Sequence, residues 1–362
     1  MDTISEGSCK IKASSQKKDP TKKVEVFYNP LMKSNRNISI VLLSNIANKN
    51  MKMALPLSGS GIRGLRFIKE LKKGKIGELH VNDIKNKFEL QFLENAKLSS
   101  VKTDNVKIYN EDANLFILGH MGFDYIELDP FGTPNPFLAS AVSRISRKGI
   151  LAITATDTAA LTGTYPQVTK RKYWARSLRN YMMHEMGLRI LIRKVQLQGI
   201  QFDKALTPIL AYHKDHYFRI YFRSEKGKEK CDKLIKKHQY LLYCPKCLNF
   251  KASNFNCGNC DCSSRFEVVG PLWTGKLFDS KLVSKMAKNN SFPEEQKFLD
   301  ILKEESKKDV LGFYDLHIIA KKFKQSPRKN EVLKKLKAVP THFSLTGFKT
   351  EKGIKEIIKI LS

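Results

Sequence analysis

Four short apolar runs in the first half of the chain each end in an acid. Residues 76–81 run into Asn82-Asp83, 106–109 into Glu111-Asp112, 123–128 into Asp129, and 149–156 into Asp157. A fifth run, 51–57, opens the series and ends in the glycine-rich SGSGIRG. Helical patterns over 62–73, 88–98 and 136–145 separate them. Strands alternating with helices predict a doubly wound parallel sheet. In such a sheet the ligand crevice lies outside the carboxyl ends of the strands, so these acids converge on one place. Gly59-x-Gly61-x-x-Gly64 fits the glycine fingerprint after a first strand. Asp83 follows at the distance, about twenty residues, where an acid grips ribose hydroxyls.

The most informative run is FDYIELDPFGTPNPF, residues 123–137. It starts as a buried strand and stops at Asp129-Pro130-Phe131-Gly132, because proline cannot continue the ladder and glycine permits a turn. A carboxylate, a free carbonyl and a ring are left at a strand end, a set suited to holding a flat base by its amino group. The glycine loop is flanked by arginines, whereas a dinucleotide site needs a free helix N-terminus for pyrophosphate. S-adenosylmethionine carries a carboxylate, a ribose and an adenine but no phosphate. Arg36 and Arg66 suit the carboxylate, Asp83 the ribose, and Asp112 with Ala113 the adenine edge. A methyl donor is therefore favoured over NAD, and an NAD-dependent oxidoreductase stays open as an alternative.

Lys plus Arg number 65 against 35 acids, a formal net charge of +30. Such an excess favours a polyanion, with nucleic acid the first candidate. An anionic membrane is a weaker fit, since no basic amphipathic helix stands apart from the core. Residues 1–24 are polar, lysine-rich and without an apolar h-region, so a flexible basic tail and a cytoplasmic protein are expected. One long helical pattern spans 169–199, with Arg176 and Arg179 beside Tyr173 and Trp174 as candidate phosphate contacts. His184-Glu185 lacks a second histidine at helical spacing, so His184 reads as structural. YFRIYFR, 217–223, alternates and reads as the last strand of a domain over 25–225. Of seven cysteines, Cys244-x2-Cys247-x9-Cys257-x2-Cys260 has four-thiolate zinc spacing. Cys262 competes for the second pair, which CxxC geometry assigns to Cys260. The set reads as a structural zinc site within a smaller α/β unit, 226–362, whose second basic cluster, 321–337, suits RNA.

Taken together these segments resemble a known family. FYNPLMKSNRN, SGSGIRGLRF, ELDPFGTPNPF, HEMGLRILI, GPLWTG (270–275) and THFSLTG (341–347) are similar to signatures of the tRNA (guanine-26, N(2))-dimethyltransferases, especially the shorter archaeal type. One departure is Asn37, where the family usually has Asp. The resemblance implies a class I (Rossmann-like) S-adenosylmethionine-dependent fold. It implies two successive methyl transfers to the exocyclic amine of a guanine flipped out of tRNA. It assigns Arg36, Arg66, Asp83, Asp112 and Ala113 to the donor and Asp129 to catalysis. Phe27 and Phe131 would sandwich the base, and Cys244, Cys247, Cys257 and Cys260 would hold zinc. An adenine amino-methyltransferase and a non-catalytic zinc RNA-binding protein are the remaining alternatives.

Overall fold

The computed structural model describes residues 2–15, 27–324 and 328–361. The first of these corrects the expectation of a loose tail. Strands β1 (Asp2–Glu6) and β2 (Cys9–Ser15) pair antiparallel, from Asp2 opposite Ala13 to Glu6 opposite Cys9. Cys9, Ile11 and Ala13 alternate along β2 and are buried, which is the period of a half-buried strand. Residues 16–24 of the expected tail lie outside the described residues. The chain resumes in the short strand β3 (Phe27–Tyr28), parallel to β2, and then in helix α1 (Lys33–Asn45).

Next come the expected alternations: β4 (Met51–Leu55), α2 (Ile62–Glu70), β5 (Ile76–Asn82), α3 (Phe88–Leu98) and β6 (Val106–Tyr109). They continue through α4 (Ala113–Leu118), β7 (Phe123–Leu128), α5 (Leu138–Arg144) and β8 (Ile145–Ala155). The edge of β2 lies on α3, whose side chains satisfy it. Asn95 Oδ1 accepts from Lys12 N at 2.8 Å, and Ser99 Oγ donates to the Lys10 carbonyl at 2.6 Å. A paired edge is closed to further strands.

The stretch expected as one helix over 169–199 is interrupted. After α6 (Thr158–Leu161), α7 (Pro166–Tyr173) stops at Trp174, whose φ of 53° is left-handed. The following segment crosses to Gly270, where Arg176 N and O pair with the glycine's backbone at 2.8 and 2.7 Å. Helix resumes in α8 (Met183–Ile200). The long-range pairing takes the backbone groups that a continuous helix would have used.

Two strands complete the sheet, β9 (Lys204–Lys214) and β10 (Tyr217–Lys226). The order is β6-β5-β4-β7-β8-β10-β9. The first five strands are parallel, and β10 runs antiparallel to both neighbours. The sheet is thus mixed where a parallel one was expected, and its strand order reverses at β4. α9 (Lys228–Ile235) packs back on β9 and α8 through Cys231 and Leu234, so the first unit runs past residue 225.

The second unit holds a sheet of β11 (His238–Tyr243), β12 (Phe250–Ser253) and β13 (Glu267–Trp273), then α10 (Ser280–Lys288) and α11 (Gln296–Ser306). β14 (Tyr314–Asp315), α12 (Leu316–Phe323), α13 (Lys329–Lys335), β15 (Val339–Pro340), β16 (Gly347–Lys349) and α14 (Ile354–Leu361) finish it. No helix among the described residues is long and apolar enough to cross a membrane.

Three of the quoted signatures meet where the units join. Lys349 Nζ donates to both oxygens of Glu185 at 3.0 Å and lies 3.7 Å from Glu305. Arg189 donates to Glu185 at 2.8 Å and to the carbonyls of Trp273 and Gly275 at 3.1 and 2.7 Å. His342 Nδ1 meets Glu305 at 2.6 Å. His184 stacks on His213 with ring centroids 3.9 Å apart, in keeping with a structural role.

Burial, followed by the charges of His184 and His342, pushes His213 down to about 3. Burial and then Arg193 push His238 down to about 4. Unfolded histidines take up a proton near pH 6.5, whereas these stay neutral in the fold. Their contribution is complete above pH 6.5 and is lost as pH falls below it, by up to about 1.4 kcal/mol per pH unit for each proton. The urea midpoint is expected to fall between pH 6.5 and 5. His213→Phe, which keeps the ring contact, should flatten that slope by about one proton.

Candidate active site

The carboxyl ends of the parallel strands gather the predicted acids. Gly59 and Gly61, with φ of 58° and 77°, turn the chain from β4 into α2. A Cβ on Gly61 would lie 2.5 Å from the Phe92 ring, so the turn needs glycine both for its backbone and for its close approach. Asp83, at the end of β5, accepts from Gly59 N at 2.7 Å and Lys85 N at 3.1 Å. Burial pushes its carboxyl up, against these two amide bonds. Asp112 caps α4, accepting from Asn114 N and Leu115 N at 2.8 and 3.2 Å, and Ala113 is buried beside it. Asp83 thus lines the glycine turn, and Asp112 keeps its second oxygen outside the cap.

Arg36 and Arg66 do come together, but around a protein carboxylate. Glu6 of the N-terminal hairpin accepts from Arg36 Nε and Arg66 Nη1, both at 2.7 Å, and also from Arg36 Nη2. Arg66 further donates to both oxygens of Glu70 at 2.9 Å and to Asn37 Oδ1 at 2.8 Å. Although burial works the other way, Arg36 and then Arg66 hold Glu6 down to about 2. Asn37 has a clear reason to be an amide: its Nδ2 donates to Glu295 at 3.2 Å and Glu294 at 3.3 Å. An Asp there would add a third carboxylate. Glu6 was not legible as a site residue, because it sits in the stretch read as a tail.

Asp129 follows β7 with its side chain 18% exposed. Its Oδ2 accepts from Arg63 Nη2 at 2.5 Å. The loop beyond it is fixed on both sides. Gly132 N donates to Thr156 Oγ1 at 2.8 Å and Thr156 N to the Gly132 carbonyl at 2.9 Å. Tyr173 Oη donates to Asp157 Oδ1 at 2.6 Å and lies 3.0 Å from the Thr133 hydroxyl. Phe27 and Phe131 meet edge to face with centroids 4.5 Å apart. The two rings touch, with no gap between them. Phe131 is 42% exposed.

Behind Asp129 lies a buried chain of charge that sequence reasoning missed. Arg63 also donates to Asn35 Oδ1 and Ser39 Oγ, each at 3.0 Å, and lies 3.6 Å from Glu127. Glu127 pairs in turn with both terminal nitrogens of Arg219 and accepts from Tyr125 Oη at 2.5 Å. Burial raises the Glu127 carboxyl, but Arg219 and then Arg63 outweigh it and leave it lowered. The available signal was the charged residue inside an otherwise apolar strand: Glu127 in YIEL and Arg219 in FRIYF.

In the second unit the metal set differs from its expectation. The sulfurs of Cys244, Cys247, Cys260 and Cys262 lie within 4.8 Å of one another, and Cys257 is exposed. Two of the distances are 3.5 and 3.4 Å, close to the edge of about 3.8 Å of a tetrahedron with 2.3 Å zinc–sulfur bonds. The second knuckle is Cys260-x-Cys262. It is closed by Ser263 N to the Cys260 carbonyl at 2.8 Å and by Cys260 N to the Ser264 carbonyl at 2.9 Å, with Ser263 left-handed at φ 64°. That tight turn swings Cys262 into the place that spacing gave to Cys257. The expected phosphate contacts Arg176 and Arg179 are exposed, beside Trp174, whose ring carries Lys194 Nζ at 3.3 Å.

The family model for N2,N2-dimethylguanosine tRNA methyltransferase matches residues 7–362. The chain belongs to this family. A tRNA (guanine(26)-N(2)/guanine(27)-N(2))-dimethyltransferase of Aquifex aeolicus is 40% identical over 99% of this chain and 95% of its own length. A tRNA (guanine(26)-N(2))-dimethyltransferase of Methanobrevibacter smithii is 35% identical over 99% and 97%. The solved structure of Trm1 from Pyrococcus horikoshii in complex with S-adenosyl-L-methionine superposes with a TM-score of 0.87 at 33% identity, covering all of both chains. The mixed sheet with its reversal at β4 is therefore the family's class I methyltransferase fold.

Two outcomes follow for the chain's own charges and thiols. Glu6→Ala leaves two buried guanidinium groups short of a partner and should cost about 3–5 kcal/mol, read as a lower urea midpoint with faster proteolysis of the hairpin. Cys262→Ser should lower the zinc content of the purified protein and its melting temperature, whereas Cys257→Ser should change neither. Equal loss from both would restore the spacing-based assignment.

Proposed function

We infer that this chain is a tRNA (guanine-N(2))-dimethyltransferase that acts at guanine-26, with S-adenosylmethionine as methyl donor. The observation that carries the site assignment is Asp129. It stands at the end of β7, one oxygen held by Arg63, next to the Phe27–Phe131 pair. The donor, when bound, supplies an electrophilic methyl group whose bonding electrons stay on sulfur.

The residues that fit the donor are those around the glycine turn. Asp83 takes the ribose hydroxyls, and Asp112 with Ala113 takes the adenine edge. Arg36, 5% exposed, takes the carboxylate, with the fully buried Arg66 holding Glu6 and Asn37 behind it. Guanine N2 is a poor nucleophile because its lone pair is delocalised into the ring. Oδ1 of Asp129, with a backbone carbonyl of Asp129 or Pro130, accepts an amine hydrogen and turns the lone pair toward the methyl. N2 gains a methyl and gives up one proton, which leaves by way of Asp129 to water. The monomethylated amine then rotates and reacts again. Because the base lies in a folded tRNA, it is flipped out and stacks between Phe27 and Phe131, at ~1–3 kcal/mol per ring by analogy with single-strand binders. Zinc on Cys244, Cys247, Cys260 and Cys262 pins β11 to the turn that follows β12. The unit from about residue 226 onward then offers lysines and the 74% exposed Phe255 to RNA. Phosphate contacts position the tRNA and make binding salt-sensitive.

The test is methyl transfer from labelled donor to an unmodified tRNA transcript, followed by digestion to nucleosides. Dimethylguanosine is expected, and it should vanish when guanine-26 is replaced. Residual dimethylguanosine at position 27 would align the chain with the guanine(26)/guanine(27) enzyme of Aquifex aeolicus. Asp129→Ala should slow a single turnover by roughly 10²–10⁴-fold with tRNA affinity unchanged. Lost tRNA binding in a folded protein would refute the assignment of Asp129 to the chemistry.

A further inference from the structure

We propose that Arg63 is a positioning residue for methyl transfer: it clamps Oδ2 of Asp129 and so aims Oδ1 at the amine of the flipped base. The inference rests on the reading of Asp129 as the amine's acceptor and adds what makes that acceptor directional.

Asp129 sits where β7 gives way to a Pro-Phe-Gly turn, and its carboxyl group can rotate about two side-chain bonds. Arg63 removes that freedom. Its guanidinium leaves the first turn of α2 and reaches four partners on two other elements: Asn35 and Ser39 on α1, and Glu127 and Asp129 at the end of β7. The side chain is 8% exposed, so water competes little for it. The fork geometry of a guanidinium suits this work, whereas an ammonium at the same place would be a point charge without a fixed plane. Arg219 steadies the rear through its pairing with Glu127. The four charges Arg63, Arg219, Glu127 and Asp129 sum to zero. The arrangement therefore holds one carboxylate oxygen still without leaving a net charge in the core.

A fixed acceptor matters unequally for the two transfers. The unmethylated amine has two hydrogens, and either can meet Oδ1. The monomethylated amine has one, which must be turned to Oδ1 with the first methyl directed away. An acceptor that wanders slows both steps, and the second more. Loss of Arg63 is thus expected to change the product as well as the rate, which a general loss of stability would not do.

The experiment is single-turnover methylation by the full-length enzyme at saturating donor and tRNA, with mono- and dimethylguanosine quantified, and donor and tRNA affinities measured separately. Arg63→Met should slow the first transfer by about 100-fold and the second by about tenfold more, so that monomethylguanosine accumulates. Both affinities should stay within about threefold of wild type, a change too small to account for such a rate loss. Arg63→Lys should fall between wild type and Arg63→Met. Arg63→Met added to Asp129→Asn should slow the reaction no further, since both changes act through one group. If Arg63→Met does not fold, Arg63→Met with Glu127→Gln keeps the buried cluster neutral and takes its place.

Wild-type rates and product ratio in the Arg63 variants, with Asp129→Asn inactive, would overturn the role of Arg63 and leave that of Asp129 standing. Donor affinity falling in step with the rate would also overturn it, making Arg63 a part of the donor site. Wild-type rates in Asp129→Asn would overturn the underlying reading of the acceptor itself.

Discussion

Lys349 and Glu185 have no exposed surface, and their pairing fixes how the two units face each other. A buried ammonium is tolerated only when its partners are placed well. Here they are Glu185 on α8 and the Val310 carbonyl, with Glu305 on α11 close by. Arg189 ties the same Glu185 to the carbonyls of Trp273 and Gly275. Segments near residues 185, 273, 305 and 349 are thereby locked into one geometry. This explains why HEMGLRILI, GPLWTG and THFSLTG carry so much of the family resemblance while none of them lies at the strand ends. They set the distance from the pocket to the cysteine module.

What the sequence disclosed was whatever depends on local pattern. Asp83, Asp112, Asp129 and Asp157 were read as strand-end acids because apolar runs and glycine turns are local, and the structure brings them to one edge. What escaped depends on contacts across long separations. The β1–β2 hairpin looked like a tail because lysines interleave Cys9, Ile11 and Ala13, and the strand needs α3 to cover it. β9 went unseen because KALTPILAYHK is apolar on both faces and carries a proline, which sits beside the bulge of β9 at Ile209. The helical period over 169–199 is real, but Gly270 claims the backbone of Arg176. Cys262 replaced Cys257 because a left-handed Ser263 makes a shorter knuckle than CxxC spacing suggests.

The excess of positive charge and the buried cations obey different rules. Most of the 65 Lys and Arg serve solubility and attraction to a polyanion. A few are drawn inside, and six of them have an acid fitted: Glu127 with Arg63 and Arg219, Glu185 with Arg189 and Lys349, Glu6 with Arg36 and Arg66; buried Lys194 lies instead on the Trp174 ring. Net charge predicts the partner.

The Glu6 cluster shows why a donor corner would be built this way. Two arginines facing an open pocket would be held apart by repulsion and wetted, and a ligand carboxylate would have to strip that water away. With Glu6 and Glu70 already in place, Arg66 is fully enclosed and Arg36 nearly so. With the donor placed as proposed, its carboxylate would share or exchange the Arg36–Glu6 ion pair, the larger part of the desolvation having been met by folding. The same logic ties the N-terminal hairpin to the pocket. Glu6 reaches the arginines only because β1 pairs with β2, and β2 is held by Asn95 of α3 and by Ser99 just past its end. A segment that looks dispensable in sequence is thus part of the wall that keeps two cations aligned beside the glycine turn.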